Sequence, residues 1–325
     1  MNWLNGLPDL AKQKGSVLSI GNFDGVHLGH QSIVNVLVTR ARALGIPALI
    51  LTFEPHPAAL LRSSGPPPRL TTSQQKADLL RKLGVDAVLQ YPTDQTLLNL
   101  TAREFFDEFV IRKLNAVGLV EGPNFFFGKG RSGDGETLRK FCEETGRFAE
   151  ILTPSVQNGT LVSSSQIRQA LQAGDVESAT QFLGRPYSIR GTVVEGDRRG
   201  RTIGFPTANL HQIETLIPAN GVYAARATAP DSSDRQKFQQ LAAVSIGPNP
   251  TFDQSSGAPA PLKVEAHVLD FSGDLYGKEI ELEFLARIRD LRKFSGAQEL
   301  QHQIQQDIKS IRDQFPGAAG SPTMK

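Results

Sequence analysis

The residues with the clearest chemical potential are two histidines, His27 and His30, in the segment 21–30, which reads GNFDGVHLGH. The segment follows an apolar run, 17–20, that is typical of a buried strand, and it leads into a predicted helix over 31–43. Free backbone N–H groups at a helix start favour anions, and the glycines of the segment let a ligand approach the backbone closely. Histidines there can donate hydrogen bonds to phosphate oxygens as charge builds up in a transition state. The spacing therefore predicts a nucleotide phosphate site.

Two histidines three positions apart also fit a metal site or a surface pair. No cysteine lies nearby and no acidic residue directly follows His30, which argues against zinc. The combination of a strand, a Gly-Asn-Phe-Asp-Gly turn and HxGH is far more restrictive than His-x-x-His alone. It resembles the HxGH signature of the nucleotidyltransferase superfamily, which implies transfer of AMP or CMP from a nucleoside triphosphate.

The composition indicates an ordinary two-domain protein. The chain has 325 residues, 39% of them hydrophobic and 21% charged, enough to build a core. A net charge of +2 gives no support for a nucleic acid or membrane partner. The single cysteine, Cys142, excludes an internal disulfide, fits a reducing cytoplasm and is expected to serve packing. The N-terminus lacks a signal pattern, and the apolar stretch 46–53 contains Pro47 and is too short to span a bilayer.

Over 17–152 strand patterns alternate with helix patterns, which predicts a parallel sheet covered by helices. The predicted strands are 17–20, 48–53, 87–90, 117–120 and 148–152, and the helices are 31–43, 73–83, 101–115 and 136–144. Ser73 is the expected N-cap of the second helix. The third is amphipathic, and its expected buried side holds Phe105, Phe106, Phe109, Val110 and Leu114. In such a fold ligands gather beyond the carboxyl ends of the strands at a topological switch point. The loops 21–30 and 121–128 both follow strands, so we expect them to meet there.

The character of the chain changes after about residue 184. Helices are predicted at 163–174 and 176–183, followed by a linker at 184–186. Beyond it, short alternating strands separated by turns predict a small antiparallel β-barrel with a C-terminal helix at 297–314. The predicted strands are 187–195, 222–229, 240–246, 263–270 and 279–286. We therefore predict an α/β nucleotidyltransferase-like domain over 1–184, a barrel domain over 185–315, and a disordered tail over 316–325.

Two further loops follow predicted strands in the first domain. The segment 52–57, TFEPHP, holds His56 between two prolines, which fit either a structural turn or a site loop. The segment 121–128, EGPNFFFG, places three consecutive phenylalanines at the sheet edge, where they cannot all be core. One of them can stack on a flat heterocycle, and Asn124 can contact a ring edge or a phosphate. Hydrophobic packing of the loop is the alternative.

The start of the helix predicted at 163–174 offers a second anion site. Ser163 and Ser164 lie at the helix start and Arg168 lies one turn on. Serines at this place cap a helix, which is one reading of the pattern. The hydroxyls, the free N–H groups and the guanidinium also form an anion cradle. Together with the 21–30 loop, this predicts one loop on each side of a triphosphate.

The second domain has its own candidate site in the segment 191–209. Glycines at 196, 200 and 204 suggest a mobile flap over phosphates, without the Gly-Lys-Ser/Thr ending of a Walker loop. Thr207 and Asn209 lie two residues apart, face one side of an extended chain, and offer oxygen ligands suited to Mg²⁺. Glu265, expected on the same strand face as His267 and Leu269, is a candidate general base, although a solvated glutamate is an equal alternative.

Both motif sets resemble the bacterial family of bifunctional riboflavin kinase/FMN adenylyltransferases, also called FAD synthetases, from about residue 16 to residue 314. In the first domain the resemblance rests on GNFDGVHLGH (21–30), TFEPHP (52–57), EGPNFFFG (121–128) and SSSQIR (163–168). In the second it rests on GRTIGFPTAN (200–209), GVYA (221–224), SIGPNPTF (245–252), VEAHVLDF (264–271) and DLYG (274–277). Two unrelated motif sets in the expected order make the resemblance specific.

The resemblance implies that the first domain joins FMN to AMP from ATP and releases pyrophosphate, and that the second phosphorylates riboflavin with ATP. It implies catalytic roles for His27, His30 and Glu265, and Mg²⁺ ligation by Thr207 and Asn209. ATP and phosphate binding in the first domain fall to Gly21, Phe23, Asp24, Gly29, Ser163, Ser164 and Arg168. Flavin binding there falls to Asn124, Phe125 and Phe127. Substrate binding in the second domain falls to Gly196, Gly200, Arg201, Gly204 and Pro206. An oligomer is compatible with the sequence but not indicated by it.

Three departures from the family pattern affect the expectations. Ser165 stands where the family has threonine, which keeps the hydroxyl. Glu121 precedes Gly122 where the family usually has valine, which adds a carboxylate near the site. Leu291 stands where the family often has a glutamate after arginine, and Asp290 is a possible substitute. Because none removes a residue assigned to chemistry, we expect both activities. A chain with one active domain, and a flavin-binding protein without turnover, are the competing hypotheses.

Overall fold

The computed structural model describes residues 4–5, 15–154, 156–157, 159–196, 200, 203–229, 239–248 and 262–316. The chain divides into two compact units, residues 1–164 and 165–325. The expected architecture, a parallel α/β sheet followed by an antiparallel barrel and a C-terminal helix, is confirmed. No helix in the part of the chain that the structure describes has the length and apolar character needed to cross a bilayer.

The first unit is built on a parallel sheet with the order β1-β4-β3-β2-β5-β6. Its strands are β1 (Leu4–Asn5), β2 (Ser16–Ile20), β3 (Ala48–Glu54), β4 (Ala87–Pro92), β5 (Ala116–Glu121) and β6 (Phe148–Ile151). Its helices are α1 (Leu28–Leu44), α2 (Ala58–Leu61), α3 (Ser73–Lys82), α4 (Gln95–Asn99), α5 (Ala102–Phe105) and α6 (Gly135–Glu144). A small hairpin, β7 (Val156–Gln157) and β8 (Thr160–Leu161), follows the sheet. Strand order reverses between β2 and β5, which makes their carboxyl ends the switch point.

Apolar clusters cover both faces of this sheet. One packs Leu18, Leu49 and Leu119 against phenylalanines of the helical segment after residue 101, and the other packs Val17 and Ile50 against α1. The predicted buried side of that segment is confirmed, since Phe105, Phe106, Phe109, Val110 and Leu114 are at most 6% exposed. Burial on both faces explains why the strands are nearly continuous apolar runs rather than alternating ones.

Two expectations about the helices differ from the structure. The N-cap of α3 is Thr72 rather than Ser73, because the Thr72 hydroxyl accepts from Gln75 N–H while the Gln75 side chain accepts from Thr72 N–H. The helix predicted over 101–115 is α-helical only in α5 and continues as a π-helix over Phe106–Lys113. The short elements β1, α2, α4 and the β7–β8 hairpin were not predicted, since two to five residues carry too little periodicity.

The second unit contains a closed antiparallel barrel with the order β10-β13-β12-β11-β14-β9. Its strands are β9 (Tyr187–Val194), β10 (Ala208–His211), β11 (Gly221–Thr228), β12 (Gln239–Gly247), β13 (Lys263–Val268) and β14 (Glu279–Arg289). Strict alternation of buried and half-buried residues along β9 and β13 places one face of each strand inside the barrel. The barrel includes a strand, β10, in addition to the five predicted ones, and β10 contains Asn209.

Among the described residues, the helices given bounds in this unit are α7 (Ser164–Ala173), α8 (Val176–Leu183) and α9 (Ala297–Gln314), the last with the predicted bounds. Ile311 of α9 packs fully buried with Leu241 and Leu269. Arg287 of β14 fixes α7 and α8, because its guanidinium donates to the carbonyl of Ala173 and its N–H donates to Glu177. Hairpin loops are expected from the sequence at 231–239 and 254–261; Gln239 begins β12, and residues 231–238 and 254–261 lie outside the described residues. Residues 249–252 of one family motif and the tail from 317 also lie outside them.

Candidate functional site

A cavity of about 900 Å³ lies in the first unit where β2 and β5 diverge. This is the place that the switch-point rule predicts for a ligand. The loops after β2 and β5 both contribute to its wall, as the sequence predicted. The predicted site residues that line it are Gly21, Phe23, His27, Gly29, His30, Asn124, Phe125, Phe127 and Ser163.

His27 and His30 form a stacked pair at the start of α1. His27 is the N-cap, and its Nδ1 accepts a hydrogen bond of 3.3 Å from the backbone N–H of His30. The two rings stack with centroids 3.6 Å apart, and the Phe23 ring lies 5.0 Å from that of His30. Since His27 Nδ1 accepts, the hydrogen of a neutral His27 ring is on Nε2. A neutral His27 can therefore donate a hydrogen bond from Nε2.

Charge on His30 is disfavoured by its surroundings. Burial lowers the pKa of His30 well below its ordinary value, and positive charge on His27 and Lys76 lowers it further. His30 Nδ1 is buried without a hydrogen-bond partner among the described residues. In the free protein His30 is thus a neutral imidazole at neutral pH, a hydrogen-bond donor rather than a fixed cation.

Asp24, predicted to contact ATP, is used by the loop itself. Its carboxylate accepts from the backbone N–H groups of Leu70 and Thr71 and from the Thr71 hydroxyl, at 3.0–3.1 Å. The Thr71 hydroxyl in turn accepts from Gly25 N–H. The backbone carbonyl of Asp24 accepts from the Ser164 hydroxyl at 2.9 Å. Asp24 therefore holds the 21–30 loop in shape. Among the residues that the structure describes, neither Asp24 nor Ser164 lines the cavity. Arg168 belongs to the second compact unit.

The phenylalanine loop divides its three rings between core and cavity. Phe127 is 6% exposed and stacks on Phe125 with centroids 5.3 Å apart. Phe126 is 43% exposed, and the guanidinium of Arg131 lies 4.0 Å above its ring. The loop is thus packed against the core, and it also offers a flat apolar wall to a ligand. Arg131, which lines the cavity, was not predicted, because nothing in GKGRSGD distinguishes it from a solvated arginine.

The 52–57 loop is tied to the phosphate loop through His56. Its Nδ1 accepts from Ala58 N–H at 3.0 Å, and its Nε2 lies 2.9 Å from the side-chain amide of Asn22. Because Nδ1 accepts, the ring hydrogen of a neutral His56 is on Nε2, which then donates. Nε2–H can pair with the oxygen of the Asn22 amide but not with its nitrogen, so the amide is assigned with its oxygen toward His56. His56 therefore serves at least the structural role that the sequence left open.

Two buried ionisable residues lie near this site. Lys76 was not predicted from the sequence, and Glu121 was expected to add a carboxylate. Lys76 of α3 is 8% exposed and lies 3.5 Å from the Thr52 hydroxyl. Burial lowers the pKa of Lys76, while Asp24 and Glu54 act to raise it. Glu121, expected to add a carboxylate, is 2% exposed, and burial raises its pKa well above the ordinary value. Burial therefore favours the uncharged form of this carboxyl in the cavity wall. Cys142 is buried as expected, which raises the pKa of its thiol to about 11.

In the second unit the predicted metal ligand and the predicted base are cross-strand partners. Asn209 of β10 is directly opposite Glu265 of β13 in the antiparallel ladder. Directly opposite side chains lie on one face with their Cβ atoms about 4.5–5.5 Å apart. Thr207, two residues before Asn209, is half-buried like Asn209 and Glu265. His267 shares the half-buried face with Glu265 as predicted, whereas Leu269 lies past the strand end and is buried.

Of the glycines in the predicted flap segment, Gly196 is the one that lies against Asn209. A Cβ on Gly196 would lie 2.2 Å from Nδ2 of Asn209, and a Cβ on Gly200 would lie 2.3 Å from the carbonyl oxygen of Phe205. The carbonyl of Pro206 lies 2.8 Å from Nδ1 of His267. Gly204 is exposed with φ +85. Arg201 lies outside the described residues.

A cavity of about 460 Å³ in the second unit is lined by Gly204, Phe205, His267 and residues of α9. His267 and the α9 side of this cavity were not assigned from the sequence. At the end of β14, Arg289 forms a two-point ion pair with buried Asp307, while Asp290 pairs with Arg287 and its side chain is 86% exposed. The acidic partner of Arg289 is therefore supplied by α9, not by position 290 or 291.

A histidine-bearing phosphate loop at a switch point, together with a barrel that pairs an amide with a carboxylate, defines a nucleotide-dependent transferase with two active sites. The chain belongs to the family of bifunctional riboflavin kinase/FMN adenylyltransferases. The family model for FAD synthetase matches residues 9–166, and the model for riboflavin kinase matches residues 183–315.

Relatives of this description cover nearly the whole chain. The bifunctional riboflavin kinase/FMN adenylyltransferase of Escherichia coli strain K12 is 36% identical over 317 residues, covering 97% of this chain and 98% of the relative. That of Bacillus subtilis strain 168 is 36% identical over 300 residues, 91% of each. A crystal structure from Streptococcus pneumoniae, described as a macrolide-efflux protein, is 31% identical with a TM-score of 0.81, covering 93% of this chain and 95% of that one.

The family and the domain order establish the reaction class. The chain is a transferase that acts on riboflavin, FMN and ATP, with the adenylyltransferase in the N-terminal part and the kinase in the C-terminal part. ATP is the co-substrate of both steps.

Proposed function

We propose that the chain converts riboflavin to FAD in two steps and that the residues described above divide between the steps. Two observations within separate units carry this: the pairing of Asn209 with Glu265 in the barrel, and the intact His27–His30 pair in the first unit. A protein that only bound flavin would not need a base facing an oxygen ligand. Nor would it need donors aimed at phosphates.

In the adenylyl-transfer step, a phosphate oxygen of FMN attacks the α-phosphorus of ATP, and the bond from that phosphorus to the bridging oxygen of pyrophosphate breaks. The backbone of Gly21 and Gly29 and the rings of His27 and His30 bind the triphosphate. Hydrogen-bond donation to oxygens that gain charge lowers the barrier. Phe23 packs beside His30, and Asp24 holds the loop in the conformation that aims these donors.

Ser163 lines the same cavity and is assigned to phosphate binding. The assignment of Ser164 and Arg168 to ATP binding rests on the family resemblance, with the guanidinium as the group that would neutralise charge. Asn124 orients the FMN phosphate or the ring edge, and the stacked pair Phe125 and Phe127 forms the flat wall for the flavin. The exposed edge of the wall, rather than the buried face of Phe127, makes the contact.

In the kinase step, Glu265 takes the proton of the riboflavin hydroxyl as its oxygen attacks the γ-phosphorus of ATP, and ADP leaves. Gly196, Gly200, Arg201, Gly204 and Pro206 form the flap that positions riboflavin and the ATP phosphates. Because phosphoryl transfer depends on positioning and charge neutralisation, the flap and its glycines carry much of the rate.

We propose Mg²⁺ as the metal of the kinase site. The donor set fits, because the Thr207 hydroxyl and the Asn209 amide oxygen are hard ligands opposite a carboxylate. When bound, Mg²⁺ supplies neutralisation of phosphate charge. We further propose functional boundaries of 1–184 and 185–315, followed by a tail from 316. The reducing cytoplasm, suggested by the single cysteine, is our proposed location.

The first experiment is chromatography of riboflavin incubated with the pure protein, ATP and Mg²⁺. FMN followed by FAD is the expected result. FMN alone would leave the kinase proposal standing and remove the adenylyltransferase, and no conversion would favour a flavin-binding protein. Omitting Mg²⁺ in the presence of a chelator tests the metal, because the kinase step should then stop.

A further inference from the structure

The carboxyl of Glu121 replaces a missing backbone partner at the point where the sheet opens. The β2–β5 ladder pairs Val17 with Gly118 and Leu18 with Leu119 and then stops. Beyond it the backbone N–H of Ile20 would be a buried donor without a strand partner. Glu121 Oε1 accepts from this N–H at 2.7 Å, and Oε2 lies 3.4 Å from the Ser19 hydroxyl. An unpaired buried N–H is costly, so this side chain completes the end of β2.

The bond lies directly beneath the proposed adenylyl-transfer site. Ile20, Gly21 and Glu121 all line the 900 Å³ cavity, and Gly21 is the first residue of the phosphate loop. On the other side of β2, Gly21 N–H donates to the carbonyl of Leu51 at 3.0 Å. The start of the loop is thus held from both neighbouring strands, by a backbone bond from β3 and by a side chain from β5.

We propose that Glu121 is a positioning residue for adenylyl transfer: its carboxyl fixes the backbone at Ile20 and thereby the Gly21 turn that receives ATP. This inference rests on the proposed adenylyltransferase site. A valine could fill the space but could not accept the Ile20 N–H.

The role requires the carboxyl to be uncharged. Glu121 faces a cavity that receives phosphates, and an ionised carboxylate there would repel them. Burial raises its pKa, the two hydrogen bonds oppose that rise, and no cation among the described residues contributes. Alkaline pH should therefore ionise Glu121 and weaken adenylyl transfer while leaving the kinase step unaffected.

Other titratable groups around β5 act differently. From α1, His30 and its cap His27 line the same cavity, and His30 titrates on the acidic side. From β6, Glu150 is paired with Arg40 of α1 at 2.8 Å. β2 carries no titratable side chain, and Arg131 of the loop after β5 also lines the cavity. Lys76 contacts the Thr52 hydroxyl, and its titration would affect wild type and the Glu121 variants alike.

The test compares wild type with Glu121→Gln and Glu121→Val, with Glu150→Gln as the matched control on the neighbouring strand. Gln keeps an acceptor for Ile20 N–H and resembles the uncharged acid, whereas Val removes the acceptor. FMN adenylylation is followed from pH 6 to 10, with kcat and KM for ATP separated, and riboflavin phosphorylation is measured in the same samples.

We expect wild-type kcat/KM for adenylylation to fall on the alkaline side and that of Glu121→Gln to lack this fall. Glu121→Val should raise KM for ATP on the order of tenfold at pH 7, with Glu150→Gln and all kinase rates unchanged. Superimposable pH profiles for wild type and Glu121→Gln overturn the proposal. The profile comparison decides alone if Glu121→Val does not fold. Failure of wild type to adenylylate FMN at any pH, with an active kinase, would instead sink the proposed function of the first unit.

Discussion

Asn209 and Glu265 are directly opposite each other on β10 and β13, so the proposed metal ligand and the proposed base share one face of the barrel. Gly196 lies against the Asn209 amide from a third segment. The arrangement puts a neutral oxygen ligand and a proton acceptor side by side, which is what transfer of a phosphoryl group to a hydroxyl requires.

Glu265→Gln should lower riboflavin phosphorylation roughly 10²–10⁴-fold, because a general base contributes about that much. FAD formation from supplied FMN should be unchanged, since that step belongs to the first unit. Both rates are measured by chromatography on one preparation. Glu279→Gln, an exposed glutamate on β14, is the matched control. Unimpaired phosphorylation in Glu265→Gln would remove the residue from the mechanism.

Gly196→Ala should reduce the kinase rate by displacing the Asn209 amide, because the new Cβ would lie 2.2 Å from its Nδ2. The expected signature is a raised requirement for Mg²⁺ with adenylylation unaffected. Gly296→Ala is the control, since that glycine has no positive φ and nothing within 4 Å of an added Cβ. Equal Mg²⁺ titrations of the two variants would show that the contact with Asn209 is not important.

His30→Ala should lower adenylylation roughly 10²–10³-fold, the typical effect of removing one preorganised donor. Phosphorylation of riboflavin should be retained. His302→Ala on the exposed face of α9 controls for loss of a histidine. A parallel fall of both activities in His30→Ala would contradict the assignment of the two steps to separate sites.

The lowered pKa of His30 also predicts how stability depends on pH. The folded protein disfavours protonated His30, whereas the unfolded chain protonates it below about pH 6.5. This contribution is complete above that pH and is lost as pH falls from there toward the folded pKa. The unfolding temperature of the first unit should therefore drop less on acidification in His30→Gln than in wild type, measured by calorimetry without ligands. Equal acid sensitivity would argue against a buried neutral His30.

Two glycines in the loop after Phe127 should differ sharply in their tolerance of a side chain. Gly130 (φ +63, ψ +18) is in the left-handed helical region, where alanine costs about 1–2 kcal/mol of strain. Gly128 (φ +75, ψ 170) is in a region that is populated essentially by glycine alone. At Gly128 a Cβ would also lie 2.5 Å from the backbone nitrogen of Ala102, whereas at Gly130 nothing lies within 4 Å. Gly128→Ala should lower the unfolding temperature of the first unit clearly more than Gly130→Ala. Similar shifts would mean that the backbone at Ala102 yields easily.

Local sequence patterns were sufficient to predict the helices and strands that are long enough to show a full hydrophobic period. The helix 297–314 was predicted to its bounds from isoleucine and leucine spacing, and β9 was predicted to within a residue from its alternation. The short strand β10 was not predicted, although Thr207 and Asn209 were expected to face one side of an extended chain. Four residues do not show a period, and their strand conformation depends on β9 and β13.

By itself the sequence determined the two fold classes, their order, and the residue types that carry the chemistry, because periodicity and turn residues act over a few positions. Only the tertiary structure decided which of these residues meet. It placed Asn209 opposite Glu265, turned Asp24 inward to hold the loop, and gave Glu121 a hydrogen bond to Ile20. The directions in which burial shifts the pKa values of His30 and Glu121 were decided there too. Burial and long-range pairing set the free energy of a charge, and neither is encoded in neighbouring residues.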